Sequence, residues 1–289
     1  MAFKKLEKED APLLRNYFDK YNIGSCDYSI GGVMLWRDFF KTEYAVVSDT
    51  LIFRYEYYDG KTSFSAPIGE NCAAAYALAE SVAEGPMVFY AVPTEKLDCV
   101  LGHFGEERLG LAPVRDWFDY LYDPEDMRTF AGKRFSAKRN HINKFNSLYP
   151  NHEVSVITES DVPEIKRFLA SLPANEPSLL GRAEESALCE LLDNYAFYNF
   201  KGIRLSVAGR TVAFAVGDVI GDTLFCHFEK ADVSFEGSYS VIAREFARAF
   251  SEGVRVINRE EDMGLPGLRK SKLSYNPVRL LEKFNVTVK

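Results

Sequence analysis

Residues able to do chemistry gather in four short stretches of the chain. Thr223–Lys230 (TLFCHFEK) ends in His227, Glu229 and Lys230; a regular strand would put His227 and Glu229 on one face. Asn258-Arg259-Glu260-Glu261-Asp262 follows the apolar run Val254–Ile257 directly. Three acids and an arginine at the end of a buried strand suit proton transfer and charge stabilisation. Asn140, His141 and Asn143 sit inside a basic segment, and Lys270, Lys272, Ser274 and Tyr275 inside another. The types fit transfer of an acyl group from an activated ester. That reaction needs a group to move a proton, a partner for the oxyanion and anchors for phosphates. Glu229 with Glu260 or Asp262 would hold an amine or activate the acceptor, and Lys230 and Arg259 would offset charge. Arg134, Lys138, Arg139, Lys270 and Lys272 would bind a polyanion, and Tyr239 and Tyr275 would orient substrate through their hydroxyls.

These residues need a frame, and the hydrophobic pattern supplies one. The first half reads as a helix from Asp10 with Pro12 in its first turn, strands at Tyr44–Ser48, Leu51–Tyr57 (closed by an Asp59-Gly60 turn) and Thr62–Ile68, a helix at Cys72–Ala83, a strand at Met87–Val92, a helix at Thr94–Phe104 and a strand at Asp116–Tyr122. The second half repeats that order. It has a strand at Glu153–Ile157, a helix after an Asp161/Glu164 capping box, a helix at Glu184–Tyr198, and three strands (Gly202–Val207, Thr211–Val219, Thr223–Glu229) joined by turns at Ala208-Gly209 and Gly221-Asp222. A helix opened by Gly237 and the strand Val254–Ile257 follow. The expected fold class is α+β, with units at 1–127 and 151–289 joined by a basic helix at 128–150.

Charge is unevenly spread. The 289 residues hold 35 Lys and Arg against 42 Asp and Glu, a net −7. Yet Arg128–Lys144 carries +6 and Pro266–Lys289 carries +5, leaving −18 on the remainder. Two basic islands on an acidic body suggest a site for phosphates, a polyanion or anionic lipid. A hydrophobic fraction of 47% excludes a disordered chain. Five scattered cysteines without a Cys-x-x-Cys pair indicate neither a disulfide framework nor a metal site, and read as core residues. No apolar run approaches the ~20 residues of a membrane span, and no signal peptide is read at the charged N-terminus, so a cytoplasmic protein is expected.

The strand-meander, glycine-led helix and strand of the second half match an N-acyltransferase half, in which a glycine-rich turn aims helix amides at a pyrophosphate. Here the turn is Phe235-Glu236-Gly237-Ser238-Tyr239, with one glycine and an acid, which argues against acetyl-CoA.

The strings LWRDFF (Leu35–Phe40), API-G (Ala66–Gly69), GKRFSAKRNHINKF (Gly132–Phe145), FEKAD (Phe228–Asp232) and NREEDMGLPGLRKSKLSYNP (Asn258–Pro277) resemble a bacterial family akin to the C-terminal catalytic domain of phosphatidylglycerol lysyltransferase. The resemblance implies two tandem GNAT-like halves, as also in Fem-type transferases, and an amino acid passed from aminoacyl-tRNA to a lipid hydroxyl or an amine. It implies aminoacyl-tRNA as co-substrate at the basic helix and no further cofactor. No counterpart of the membrane-embedded N-terminal portion of full lysyltransferases is read here. An acyl-CoA-dependent N-acyltransferase and a non-catalytic tRNA- or lipid-binding protein are the alternatives.

Overall fold

The computed structural model describes residues 2–56, 60–173 and 178–289. Tyr57 and Asp59, part of a predicted strand and turn, lie outside the described residues. Among the described residues the strands are β1 (Lys4–Lys5), β2 (Glu43–Val47), β3 (Thr50–Glu56), β4 (Thr62–Phe64), β5 (Val88–Pro93), β6 (Leu109–Pro113), β7 (Asp119–Tyr122), β8 (Glu153–Val156), β9 (Lys201–Val207), β10 (Arg210–Ile220), β11 (Thr223–Ala231), β12 (Val256–Asn258), β13 (Arg279–Leu281) and β14 (Lys283–Val288). The helices are α1 (Ala11–Tyr21), α2 (Ile30–Met34), α3 (Cys72–Val82), α4 (Thr94–Phe104), α5 (Pro124–Thr129), α6 (Ser136–Leu148), α7 (Val162–Ser171), α8 (Leu179–Asp193), α9 (Ser238–Phe250) and α10 (Pro266–Leu273).

The chain forms two compact units. The first runs to Asp119 and adds Glu261–Pro266 and Leu280–Lys289; the second is Tyr120–Glu260 with Gly267–Arg279. The first sheet has the order β1-β2-β3-β4-β5-β14-β6, with β4–β5 parallel and its other printed pairs antiparallel. Its apolar face buries Ile52, Phe64, Tyr76, Phe89, Val92, Phe104 and Val286 together. Within the second unit the order is β7-β12-β11-β10-β9-β8, with β11–β12 parallel. Central β10 is buried from Thr211 to Asp218 because both of its faces are covered. The apolar stripe of α9 (Val241, Ile242, Phe246) packs on one side and Phe168 of α7 meets Phe214 edge-on at 6.2 Å.

Several expectations are met: helices at α3 and α4, the β9-β10-β11 meander, and its turns at Ala208-Gly209 and Gly221, all with positive φ. Others need correction. The sequential division at 127 and 150 does not follow the sheets. The C-terminal basic segment contains β14, whose Val286 and Val288 are buried in the first unit, and α6 packs on α9 of the second. The basic segment is not one helix: α5 ends at Thr129, Phe130 turns left-handed (φ 48°), and α6 begins at Ser136. Asp161 does not box with Glu164. It caps the preceding turn by accepting from Thr158 N at 2.8 Å, while Glu164 accepts from Thr211 N at 3.0 Å and Arg204 Nη1 at 2.6 Å. Asp10 likewise caps the turn before α1, accepting from Glu7 N at 3.0 Å.

Gly237 sets the start of α9. Its φ is +95°, and a Cβ there would lie 2.3 Å from the His141 carbonyl oxygen of α6. Both facts demand glycine. Gly237→Ala is therefore expected to lower unfolding free energy by about 2 kcal/mol or more in urea melts, through strain and displacement of α6. An unchanged midpoint would contradict this contact.

Candidate active site

The candidate site lies in the second unit where β12 ends. Buried Asn258 accepts a hydrogen bond from Glu260 N at 2.7 Å through Oδ1, closing a side-chain turn. Glu260 takes φ +58°, and the backbone stays tied to β7 by Arg259 N to Tyr120 O at 3.0 Å and Tyr120 N to Glu260 O at 3.1 Å. Arg259 and Glu260 thus project from a fixed backbone.

Arg259 Nη2 donates to both carboxylate oxygens of Glu229, at 3.0 and 2.9 Å. Each side chain is 11% exposed. The guanidinium lies 4.3 Å from the ring centre of Tyr275 and 5.6 Å from that of Tyr122. Among the described residues its other terminal nitrogen, Nη1, is buried without a hydrogen-bond partner. A buried donor left so is costly unless a ligand acceptor comes to it. Lys272 Nζ donates to the Arg259 carbonyl at 2.5 Å, and Tyr122 OH to the Lys272 carbonyl at 2.9 Å, so α10 closes over the arginine.

Lys138 of α6 enters the same cluster. Its Nζ sits 3.3 Å from the Tyr275 ring centre and donates to Ser274 Oγ at 2.7 Å. Burial first, and the Arg259 charge second, lower its pKa to about 8, against the pull of Glu229. Burial pushes Glu229 above the ordinary carboxylate range despite Arg259, Lys138 and Lys272. Burial also pushes Tyr275 up to about 12. The result is a fixed cation with an open donor, beside an amine that changes protonation just above neutral pH.

His227 and Glu229 do not share a face. Asp218 of β10 pairs with Phe225, Gly217 with Cys226, but Val216 with Phe228, so His227 is the extra residue of a bulge. Asp218 and Ala215, the partners of Phe225 and Glu229, are three residues apart and face opposite ways. His227 accordingly meets Asp218 (Nε2 to Oδ1, 3.0 Å) and Glu260 (Nδ1 to Oε1, 2.7 Å). Burial alone would lower its pKa, but the Asp218 and Glu260 carboxylates win and raise it to about 10, so the ring is a structural imidazolium at neutral pH.

Of the predicted site residues, Glu229, Arg259, Lys138, Lys272 and Tyr275 come together, and Asn258 holds their turn. The others separate. Lys230 points away from Glu229 and pairs with Glu184 of α8 at 2.7 Å. Glu260 is bound to His227. Asp262 belongs to the first unit, where its Oδ2 accepts from Arg115 Nη1 at 3.1 Å and its Oδ1 from Gly264 N at 2.9 Å. The Asn258 turn and the left-handed Glu260 therefore disperse the acids of Asn258–Asp262 among different clusters instead of concentrating them. Arg134 pairs with Asp126, and Lys144 with Glu236 at 2.6 Å. Arg139 Nη1 donates to the carbonyls of Phe130 and Gly132, clasping the loop before α6. Asn140, His141, Asn143 and Lys270 are exposed. At the glycine turn, Ser238 is buried with its hydroxyl on the Asp232 carbonyl at 3.2 Å. The Cα of Gly237 faces the α6 backbone, and Tyr239 is partly exposed. The basic island is therefore largely spent on internal bonds.

The sequence did not reveal a second constellation, in the first unit. Lys283, wholly buried in β14, reaches Asp27 Oδ2 at 2.6 Å and Asp119 Oδ1 at 2.7 Å. The Cys26 thiol lies 3.1 Å from Asp119 and from Glu261, and 3.2 Å from Lys283 Nζ. Cys26, Asp119 and Glu261 bring ligand-type atoms within 4.8 Å, which spacing rules cannot see across 235 residues, and the lysine ammonium sits among them. Tyr122 and Asp218 were also missed. Of the cysteines, Cys26 and Cys226 are buried as expected, Cys72 and Cys99 are half-buried, and Cys189 is exposed.

Two mixed, mostly antiparallel sheets, each flanked by helices, make this an α+β protein with tandem GNAT-like folds. The chain belongs to the family described as "Phosphatidylglycerol lysyltransferase, C-terminal", whose profile matches residues 18–287. A conserved protein of unknown function from Bacteroides thetaiotaomicron is 32% identical over 100% of both chains, with a TM-score of 0.93. The structure of L-PGS from Bacillus licheniformis shares the fold at 12% identity and a TM-score of 0.64, covering 100% of this chain and 94% of that one. An uncharacterized protein of Mycoplasmoides gallisepticum is 23% identical over 173 residues, 59% of this chain and 56% of that protein; the match thus spans about half the length of that curated relative. Among the described residues no helix is long and apolar enough to cross a membrane.

The raised pKa of His227 has a sign in stability. Its contribution is full below the unfolded value of about 6.5 and is lost as pH rises toward about 10. His227→Gln should cost about 3–5 kcal/mol at pH 6 and progressively less toward pH 9.5 in urea melts. A cost independent of pH would contradict the imidazolium.

Proposed function

We propose that this chain is an aminoacyltransferase, moving an amino acid from aminoacyl-tRNA to a lipid hydroxyl or an amine. Family membership supports the class of reaction. The observation that carries the reading is the buried Arg259 guanidinium, anchored through Nη2 and unpartnered at Nη1, next to a lysine with a pKa of about 8.

In this reading the acceptor oxygen or nitrogen attacks the carbonyl carbon of the aminoacyl ester. Arg259 Nη1 receives the negative charge that develops on the carbonyl oxygen. Neutral Lys138 takes the proton from the acceptor and returns it to the ribose oxygen as the ester C–O bond breaks. Glu229 positions Arg259 and does not itself act as the base, because both its oxygens are already engaged. Lys272 and Tyr275 hold the arginine from the α10 side. Phosphate contacts fall to the exposed Lys270 and, when it leaves Asp126, to Arg134.

The test is transfer of radiolabelled lysine from charged tRNA to phosphatidylglycerol vesicles or to amine acceptors, read as label in the lipid or amine product. The wild-type rate should rise with pH and level off above about 8, because the base works deprotonated. Lys138→Met should lose about 100-fold or more in kcat and lose that pH dependence. Equal rates and profiles in the two proteins would remove Lys138 from the reaction, and no transfer to either acceptor class would overturn the reading.

A further inference from the structure

Two cysteines meet where α3 and α4 face one another in the first unit. Cys72 is the first residue of α3, and Tyr76 follows one turn later on the same face. Cys99 and His103 are likewise one turn apart on α4. The Tyr76 hydroxyl donates to Cys99 Sγ at 3.5 Å, and its ring lies 4.7 Å from that of His103, centre to centre. One turn up, the Cys72 thiol hydrogen-bonds to Cys99 as well. The Cys72 sulfur is also 3.8 Å from the Gly69 carbonyl oxygen. Successive turns of one helix thus meet successive turns of the other, and the two sulfurs are neighbours.

The surroundings give the two thiols different roles. The hydrogen bond from Cys72, helped by Tyr76, Lys96 and His103, outweighs partial burial and holds Cys99 below the ordinary thiol range. The same bond, with burial, pushes Cys72 above it. Cys99 is the thiolate and nucleophile, and Cys72 keeps its proton. Both are half-buried, within reach of a small reagent, whereas Cys26 and Cys226 are buried with their thiols pushed up. Closing the sulfurs to the roughly 2.05 Å of a disulfide requires a shift of Cys72. Its place at the start of α3 permits one, because the first N–H groups of a helix have no intrahelical bond to lose.

We propose that Cys99 and Cys72 are a peroxide-reactive thiol pair, in which Cys99 attacks a hydroperoxide and Cys72 closes a disulfide that ties α3 to α4. The Cys99 sulfur attacks one peroxide oxygen, the O–O bond breaks, and hydroxide leaves, which leaves Cys99 as its sulfenic acid. The Cys72 sulfur then attacks the Cys99 sulfur, the S–O bond breaks, and the hydroxyl departs with the Cys72 proton as water. Two thiols are oxidised and one peroxide is reduced. The inference does not depend on aminoacyl transfer. For the test, the whole chain is reduced, desalted, treated with hydrogen peroxide, blocked with iodoacetamide and digested with trypsin without reductant. Cleavage after Lys96 puts Cys72 on residues 62–96 and Cys99 on residues 97–108, so the disulfide is read by mass as these two peptides joined. Cys72→Ser should lose the joined peptide and stop at a Cys99 sulfenic acid that dimedone traps. Cys99→Ser should lose both products and consume peroxide at least about tenfold more slowly. The wild-type peptide map decides by itself if a variant fails to fold. No joined peptide in the wild type, dimedone on Cys189 in place of Cys99, or an undiminished rate in folded Cys99→Ser protein would each overturn the proposal.

Discussion

The second unit is organised around the burial of one guanidinium. Taking an arginine and a glutamate out of water costs several kcal/mol per ion, and their attraction offsets that only with good geometry and further partners. Here the partners are supplied from four places. Glu229 comes from β11, Tyr122 from β7, Tyr275 from the turn after α10, and Lys272 on the main-chain carbonyl from α10 itself. The Asn258 turn and the backbone bonds to Tyr120 fix where the guanidinium starts. The low pKa of Lys138 is a consequence of the same burial: the environment that admits Arg259 also penalises a second positive charge beside it.

The turn that follows β12 explains how so many charged residues are sorted. From Asn258 to Asp262 consecutive side chains leave in different directions and serve different clusters: Arg259 with Glu229, Glu260 with His227, Glu261 with Cys26, Asp262 with Arg115. The bulge at His227 performs the complementary sorting on β11, sending His227 to Asp218 and leaving Glu229 for Arg259. Two neighbouring ion pairs of different character result. One is fully satisfied and structural; the other retains a buried donor without a partner.

The meander, its two-residue turns and the glycine-led helix were legible in the sequence because each is a local pattern. So were Glu229, Arg259, Lys138, Lys272 and Tyr275 as candidates, since charged and aromatic residues next to buried strands are conspicuous. The grouping of acids was not legible, because it depends on a left-handed turn at Glu260 and on an inserted residue at His227 whose register shift has no local signature. The basic islands misled for a related reason. A run of lysines and arginines records charge but not partners, and Lys283, counted as surface charge, is an internal ion of β14. The apolar alternation of Val286 and Val288 beside it was the available signal. The Cys26 cluster joins residues 27, 119, 261 and 283, a separation that no spacing rule spans.

The account rests on Arg259 contributing more than charge, namely a second nitrogen open to an oxyanion. The most direct measurement is the single-turnover rate of aminoacyl transfer in Arg259→Lys, which keeps the charge opposite Glu229 but removes that nitrogen. The account predicts a rate loss of about 100-fold or more with tRNA affinity within about twofold of wild type. A folded Arg259→Lys protein transferring at the wild-type rate would contradict it.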